Sequence, residues 1–148
     1  MAIALHPDFQ DFLKLLNSHK VDYLLIGGYA VSFYGYPRTT ADIDIWIAID
    51  LSNAKKIVKV LQEFGFNVPE LNPELFLQQN KIIRMGNAPV RIELLTSISG
   101  VSFNECYRNR NIAVLDGISV NIINLSDLKK NKKASGRDKD LDDLKNLS

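Results

Sequence analysis

Residues Asp42-Ile43-Asp44-Ile45-Trp46-Ile47 alternate strictly, with isoleucine at every second position. This period of two constrains the chain more than any other stretch. Successive side chains of a β-strand point to opposite faces, so the pattern predicts a strand whose Ile43, Ile45 and Ile47 enter a core while Asp42 and Asp44 share the other face. Two carboxylates at i and i+2 lie roughly 6 to 7 Å apart from the strand rise. That spacing suits either the polar outer face of a half-exposed strand or a pair that chelates a divalent metal. Mg²⁺ prefers oxygen ligands, takes one or two protein carboxylates and leaves other positions to water and substrate phosphates. Trp46, in phase with the two acids, either packs under a helix or stacks on a base.

The flanking segments supply the other elements. Pro7 at a first helical position, with Phe9, Phe12, Leu13 and Leu16 at helical spacing, predicts an amphipathic helix. Tyr23 to Ile26 reads as a buried strand closed by Gly27-Gly28, followed by a short helix over Ala30 to Tyr34. Ser52 as cap, the stripe Ala54, Ile57, Leu61 and Phe64, and the stop at Gly65 predict a long helix. A short helix over Pro73 to Gln79 precedes strands over Lys81 to Met85 and Val90 to Leu95, paired antiparallel through a turn at 86–89. Asp116-Gly117 between Ile112–Leu115 and Ile118–Ile123 predicts a two-residue hairpin. Ser126 is expected to cap a helix to about Lys133, and Lys139 to Leu147 to form a last one, docked through Leu141 and Leu144. The expected fold is α/β (α+β): a mixed sheet with helices mainly on one face, in a single domain over residues 1–148.

Charge and composition narrow the function. Lys plus Arg number 18 and Asp plus Glu 17, a net charge of +1, so no overall field recommends DNA, RNA or an anionic membrane. Only residues 127–148 are densely charged, with seven cations and five acids. One cysteine, Cys106, excludes an internal disulfide and a cysteine-built zinc site, and the expected compartment is the cytoplasm. No apolar run approaches the roughly 18 residues that span a bilayer, so no membrane partner is expected.

Gly27-Gly28 lies between a strand and a helix. Glycines there either make a plain tight turn or let a phosphate approach the backbone. The longer Walker and Rossmann glycine patterns are absent. Glu93 lies in the alternating run Val90-Arg91-Ile92-Glu93-Leu94. With Val90, Ile92 and Leu94 facing the core, it is either a surface acid paired with Arg91 or Arg84, or a third carboxylate beside the Asp pair that ligates metal or accepts a hydroxyl proton.

Gly27-Gly28, thirteen intervening residues, Asp42-Ile43-Asp44-Ile45 and the later strand acid Glu93 together resemble the nucleotidyltransferase superfamily with a DNA polymerase beta-like core. More narrowly, the stretch from Gly27 to Trp46, with Tyr34-Gly35 and Pro37-Arg38-Thr39-Thr40, and the C-terminal run from Asn131 to Leu141 are similar to small bacterial nucleotidyltransferases related to AbiEii-type toxins. The resemblance implies the nucleotidyltransferase fold and transfer of a nucleoside monophosphate from an NTP, with pyrophosphate leaving. The acceptor would be tRNA, a protein hydroxyl or a small molecule, in a toxin–antitoxin or defence setting with a possible antitoxin partner. Asp42, Asp44 and Glu93 would be catalytic and hold Mg²⁺ or Mn²⁺, Glu93 standing where the family usually has Asp. Gly27, Gly28, Arg38, Lys132 and Arg137 would bind nucleotide phosphates, with Lys139 beside them. The alternative is a protein of this fold that binds a nucleotide or partner without turnover.

Overall fold

In the computed structural model, which describes residues 3–37, 40–87 and 90–147, the alternating hexapeptide is a central strand of a six-stranded mixed sheet. Helix α1 (Pro7–Ser18) begins where His6 accepts the Asp8 N–H at 3.1 Å and Pro7 occupies the first turn. Strand β1 (Tyr23–Ile26) runs directly into α2 (Gly27–Phe33), three residues before the predicted start, because Gly27 makes the sharp junction at φ +70°. Strand β2 (Asp42–Ile47) is followed by α3 (Leu51–Phe64). Its cap is Asp50 rather than Ser52: Asp50 is extended, and its carboxylate accepts the Asn53 N–H at 2.8 Å.

A 3₁₀ turn over Pro73–Phe76 replaces the longer helix expected there. Strands β3 (Ile82–Asn87) and β4 (Val90–Leu95) pair antiparallel as expected. Helix α4 (Phe103–Arg108) has no counterpart in the sequence reading. Its six residues are too few to show a helical period, and Phe103 earns its place by packing edge-on against Trp46 at 5.1 Å. Strands β5 (Asn111–Leu115) and β6 (Ile118–Ile122) form the hairpin, with positive φ at both Asp116 and Gly117. Helix α5 (Leu125–Ser135) is capped by Asn124, which takes the Asp127 N–H at 2.8 Å, not by Ser126. Helix α6 (Asp138–Asn146) ends the fold.

The strand order is β3-β4-β2-β1-β6-β5. Strand β2 pairs antiparallel with β1 and parallel with β4, while β1 and β6 are parallel. Ile43, Ile45 and Ile47 are fully buried, and so are Phe12, Leu13 and Leu16 of α1 and Ile57 of α3. These belong to one hydrophobic cluster, which fixes the register because a one-residue slip would turn every isoleucine outward. Asn53, itself buried, donates to Asp22 O and Ala48 O and accepts from Asp22 N, tying α3 to the adjoining ends of β1 and β2. Among the described residues no helix is long and apolar enough to cross a membrane.

Candidate active site

The face of the sheet opposite the isoleucines carries a row of partners across four strands: Arg84 on β3, Glu93 on β4, Asp44 on β2 and Ile26 on β1. Parallel pairing of β2 with β4 sets Asp44 directly against Glu93, and Asp42 against Arg91. Asp44 and Glu93 line a cavity of about 410 Å³ whose walls include Gly27, Gly28, Arg84, Lys132, Arg137 and Lys139. The sheet forms one side of it, and the α5–α6 corner faces the acids.

Gly27 is required by two constraints at once. Its φ of +70° disfavours any side chain, and a Cβ there would lie 2.1 Å from Asp44 Oδ2. At Gly28 a Cβ would sit 2.9 Å from Thr40 Cβ. The two glycines therefore let the β1–α2 turn press against Asp44 and Thr40, and Ile26 at the N-cap makes no side-chain bond to the first N–H groups of α2. Arg38 lies outside the described residues.

The acids are not equivalent. Asp42 is gripped by Arg91 through Nε at 2.8 Å and Nη2 at 3.1 Å, and it does not line the cavity. Glu93 Oε1 accepts from Arg84 Nε at 3.0 Å, one of the two pairings the sequence left open. Asp44 is hydrogen-bonded to no arginine among the described residues. Its Oδ1 is the one buried side-chain polar atom without a hydrogen-bond partner among the described residues. Burial pushes the Asp44 carboxyl up to about 7; the charge of Glu93, a hydrogen bond with Glu93 and the charge of Asp42 push the same way, and Lys139 opposes them.

A divalent cation fits this site. It would supply the positive partner that buried Asp44 Oδ1 lacks and relieve the repulsion between Asp44 and Glu93. Among the described residues no three His, Cys, Asp or Glu side chains are gathered as a ready metal-ligand set, since Asp42 is turned to Arg91.

Across the cavity, Lys132 is nine-tenths or more buried and ion-paired with Asp140 at 2.9 Å and Asp143 at 3.1 Å. Its charge is thus matched within the fold. Asp140 also accepts from Ser135 Oγ and from Arg137 Nε at 2.7 Å. Burial alone would raise the Asp140 carboxyl, but the bonds from Arg137, Ser135 and Lys132 outweigh it and bring it to about 2. Arg137 keeps a largely exposed side chain, and the charges of Asp44 and Glu93 both reach it.

Helix α6 docks through Asp140, Asp143 and Leu147, all buried, whereas Leu141 is exposed and Leu144 only half-buried. This corrects the expectation that Leu141 and Leu144 would anchor it. The spacing was right for a docking face, but the face is one position out of phase and ionic. Trp46 is buried and gives its indole N–H to Thr96 O at 3.4 Å, so it packs rather than stacks on a base. Asp140, Asp143 and Ser135 were not singled out from the sequence, where a run of mixed charge reads as a solvated face.

Residues 5–148 match the family described as "Nucleotidyltransferase of unknown function (DUF6036)", and the chain belongs to that family. No protein of curated function matches the sequence. Among solved structures, the chain is similar to a candidate nucleotidyltransferase from Thermotoga maritima, at 16% identity over 97% of this chain and 94% of that one, TM-score 0.63. It is also similar to the lincosamide antibiotic adenylyltransferase LnuA with lincomycin bound, at 18% identity over 97% and 96%, TM-score 0.61. A third likeness is to an antigenic nucleotidyltransferase-like protein from Paracoccidioides brasiliensis, at 16% identity over 95% and 74%, TM-score 0.56. At these identities the three establish a shared fold, and the AbiEii-type relationship stays a resemblance.

Proposed function

We propose that the chain transfers a nucleoside monophosphate from an NTP to a hydroxyl of a small molecule in a metal-dependent reaction. The observation that carries this reading is the unpartnered, buried Asp44 Oδ1 beside Glu93, in a cavity walled by the Gly27-Gly28 turn and by Arg137 and Lys139. The acceptor oxygen attacks the α-phosphorus, the bond from that phosphorus to the α–β bridging oxygen breaks, and pyrophosphate leaves. Asp44 and Glu93, with Asp42 as a further ligand, would hold Mg²⁺ or Mn²⁺, which would neutralise charge on the phosphate oxygens. Glu93 receives the hydroxyl proton. Arg137 and Lys139 attract the departing pyrophosphate, Gly27 and Gly28 leave room for the triphosphate to approach the backbone, and Arg38 is a further candidate for it. Lys132 acts through Asp140 to position Arg137.

A small acceptor is favoured because a net charge of +1 gives no field for RNA. The fold is also shared over nearly the whole chain with an adenylyltransferase of lincosamide antibiotics. Incubating the protein with each α-labelled NTP, Mg²⁺ or Mn²⁺, and separated metabolite, RNA and protein fractions tests this. Label is expected in the metabolite fraction; label in RNA or protein instead would refute the small acceptor. We place this activity in the cytoplasm. The toxin–antitoxin setting with an antitoxin partner is a separate part of the reading. It requires that expression arrest growth and that Asp44→Asn abolish the arrest.

A further inference from the structure

Asp42 and Asp44 are two residues apart on one strand face, yet only Asp44 lines the cavity. The difference is Arg91, the register partner of Asp42 on β4. Its guanidinium occupies both Asp42 oxygens, Nε on Oδ1 at 2.8 Å and Nη2 on Oδ2 at 3.1 Å. The same Nε stands 3.9 Å from Glu93 Oε1. We propose that Arg91 is a positioning residue that holds Asp42 out of the cation site, so that a divalent cation bound at Asp44 and Glu93 gains Asp42 as a further ligand only by displacing the guanidinium. This rests on reading Asp44 and Glu93 as the cation site.

A forked guanidinium–carboxylate pair fixes both the position and the lone pairs of the acid. Arginine stays charged at any working pH, so proton loss from Arg91 cannot free Asp42, whereas a cation competing for the carboxylate can. The pair is also exchangeable: the Arg91 and Asp42 side chains are 36% and 25% exposed, the range in which such pairs are weak. Arg84 differs, since it reaches Glu93 through a single Nε bond to one oxygen and is 57% exposed. Glu93 therefore stays in the cavity while Asp42 is drawn away.

A double-mutant cycle read by Mn²⁺ binding, with Mn²⁺ alone as probe and its free fraction measured by electron paramagnetic resonance, tests the proposal. Arg91→Gln is expected to lower the Mn²⁺ dissociation constant about two- to fivefold, the scale of one partly exposed ion pair. With Asp42→Asn alone as the fourth corner of the cycle, Arg91→Gln combined with Asp42→Asn should lose that gain. Equal or weaker binding by Arg91→Gln overturns the proposal. So does a gain that survives in the double variant, since the guanidinium would then act as diffuse charge rather than through Asp42. Should Arg91→Gln fail to fold, Arg91→Lys keeps the charge, loses the fork and should shift binding in the same direction by less. Asp44→Asn tests the underlying reading: Mn²⁺ binding there at parental strength refutes the cation site itself, whereas its loss there with no gain in Arg91→Gln refutes only the role of Arg91.

Discussion

Asp44 and Glu93 are direct register partners on the parallel strands β2 and β4, so two carboxylates face each other in a half-buried cavity. The fold carries a like-charge pair where burial already disfavours ionisation. A carboxyl raised from 3.8 to about 7 binds its proton more tightly in the folded than in the unfolded chain. Stability is therefore lost as pH rises from the lower value through the higher one, by up to about 4 kcal/mol once Asp44 is fully ionised. Thermal melts across about pH 5 to pH 8 should show the metal-free protein softening with pH. Asp44→Asn should flatten that trend, and Mg²⁺ should oppose it in the parent alone.

Gly27 should tolerate no side chain. Gly27→Ala places a methyl where Asp44 Oδ2 lies and forces alanine to φ +70°, a strain of order 1–3 kcal/mol before the clash is counted. Combining it with Asp44→Ala removes the contacts with Oδ2 and Cγ but leaves the 3.0 Å approach to Cβ and the backbone strain. The double variant is expected to melt between the parent and Gly27→Ala, and equal melting of the two would show that the contact with Asp44 is unimportant.

Lys132 and Arg137 should separate stability from nucleotide handling. Removing Lys132 leaves Asp140 and Asp143 buried without their shared cation, a loss on the scale of 3–5 kcal/mol for a broken buried pair. Arg137 is mostly exposed, so Arg137→Ala should cost no more than about 1 kcal/mol. The same change should lower nucleotidyl transfer by about 10²- to 10³-fold if its guanidinium steadies the leaving pyrophosphate. Urea denaturation and label transfer on the two variants check both halves.

The strand acids were legible because a period of two fixes faces without knowledge of the partner strand. The phases of residues 42–47 and 90–94 sufficed to place Asp42, Asp44 and Glu93 on one side. Which arginine grips which acid was not legible. That depends on the parallel register of β2 with β4, and Asp42 opposite Arg91 follows from pairing 49 residues apart. The C-terminal segment misled for a different reason. Lys132 is expected from the sequence to meet nucleotide phosphate, but α6 folds back and returns Asp140 and Asp143 to it. Both caps fell two positions earlier than expected, because Asp50 and Ser52, or Asn124 and Ser126, are equally good capping types. Backbone geometry chooses between them.

In the reading proposed above, Asp44 and Glu93 hold a divalent cation under the triphosphate of an NTP. Anomalous diffraction from crystals grown with Mn²⁺ and a non-hydrolysable NTP analogue measures this directly. A manganese peak is expected within ligand distance of Asp44 Oδ1 and a Glu93 oxygen, with the triphosphate between the Gly27-Gly28 turn and Arg137. A bound analogue with no manganese at Asp44, or with its phosphates outside this cavity, would contradict it.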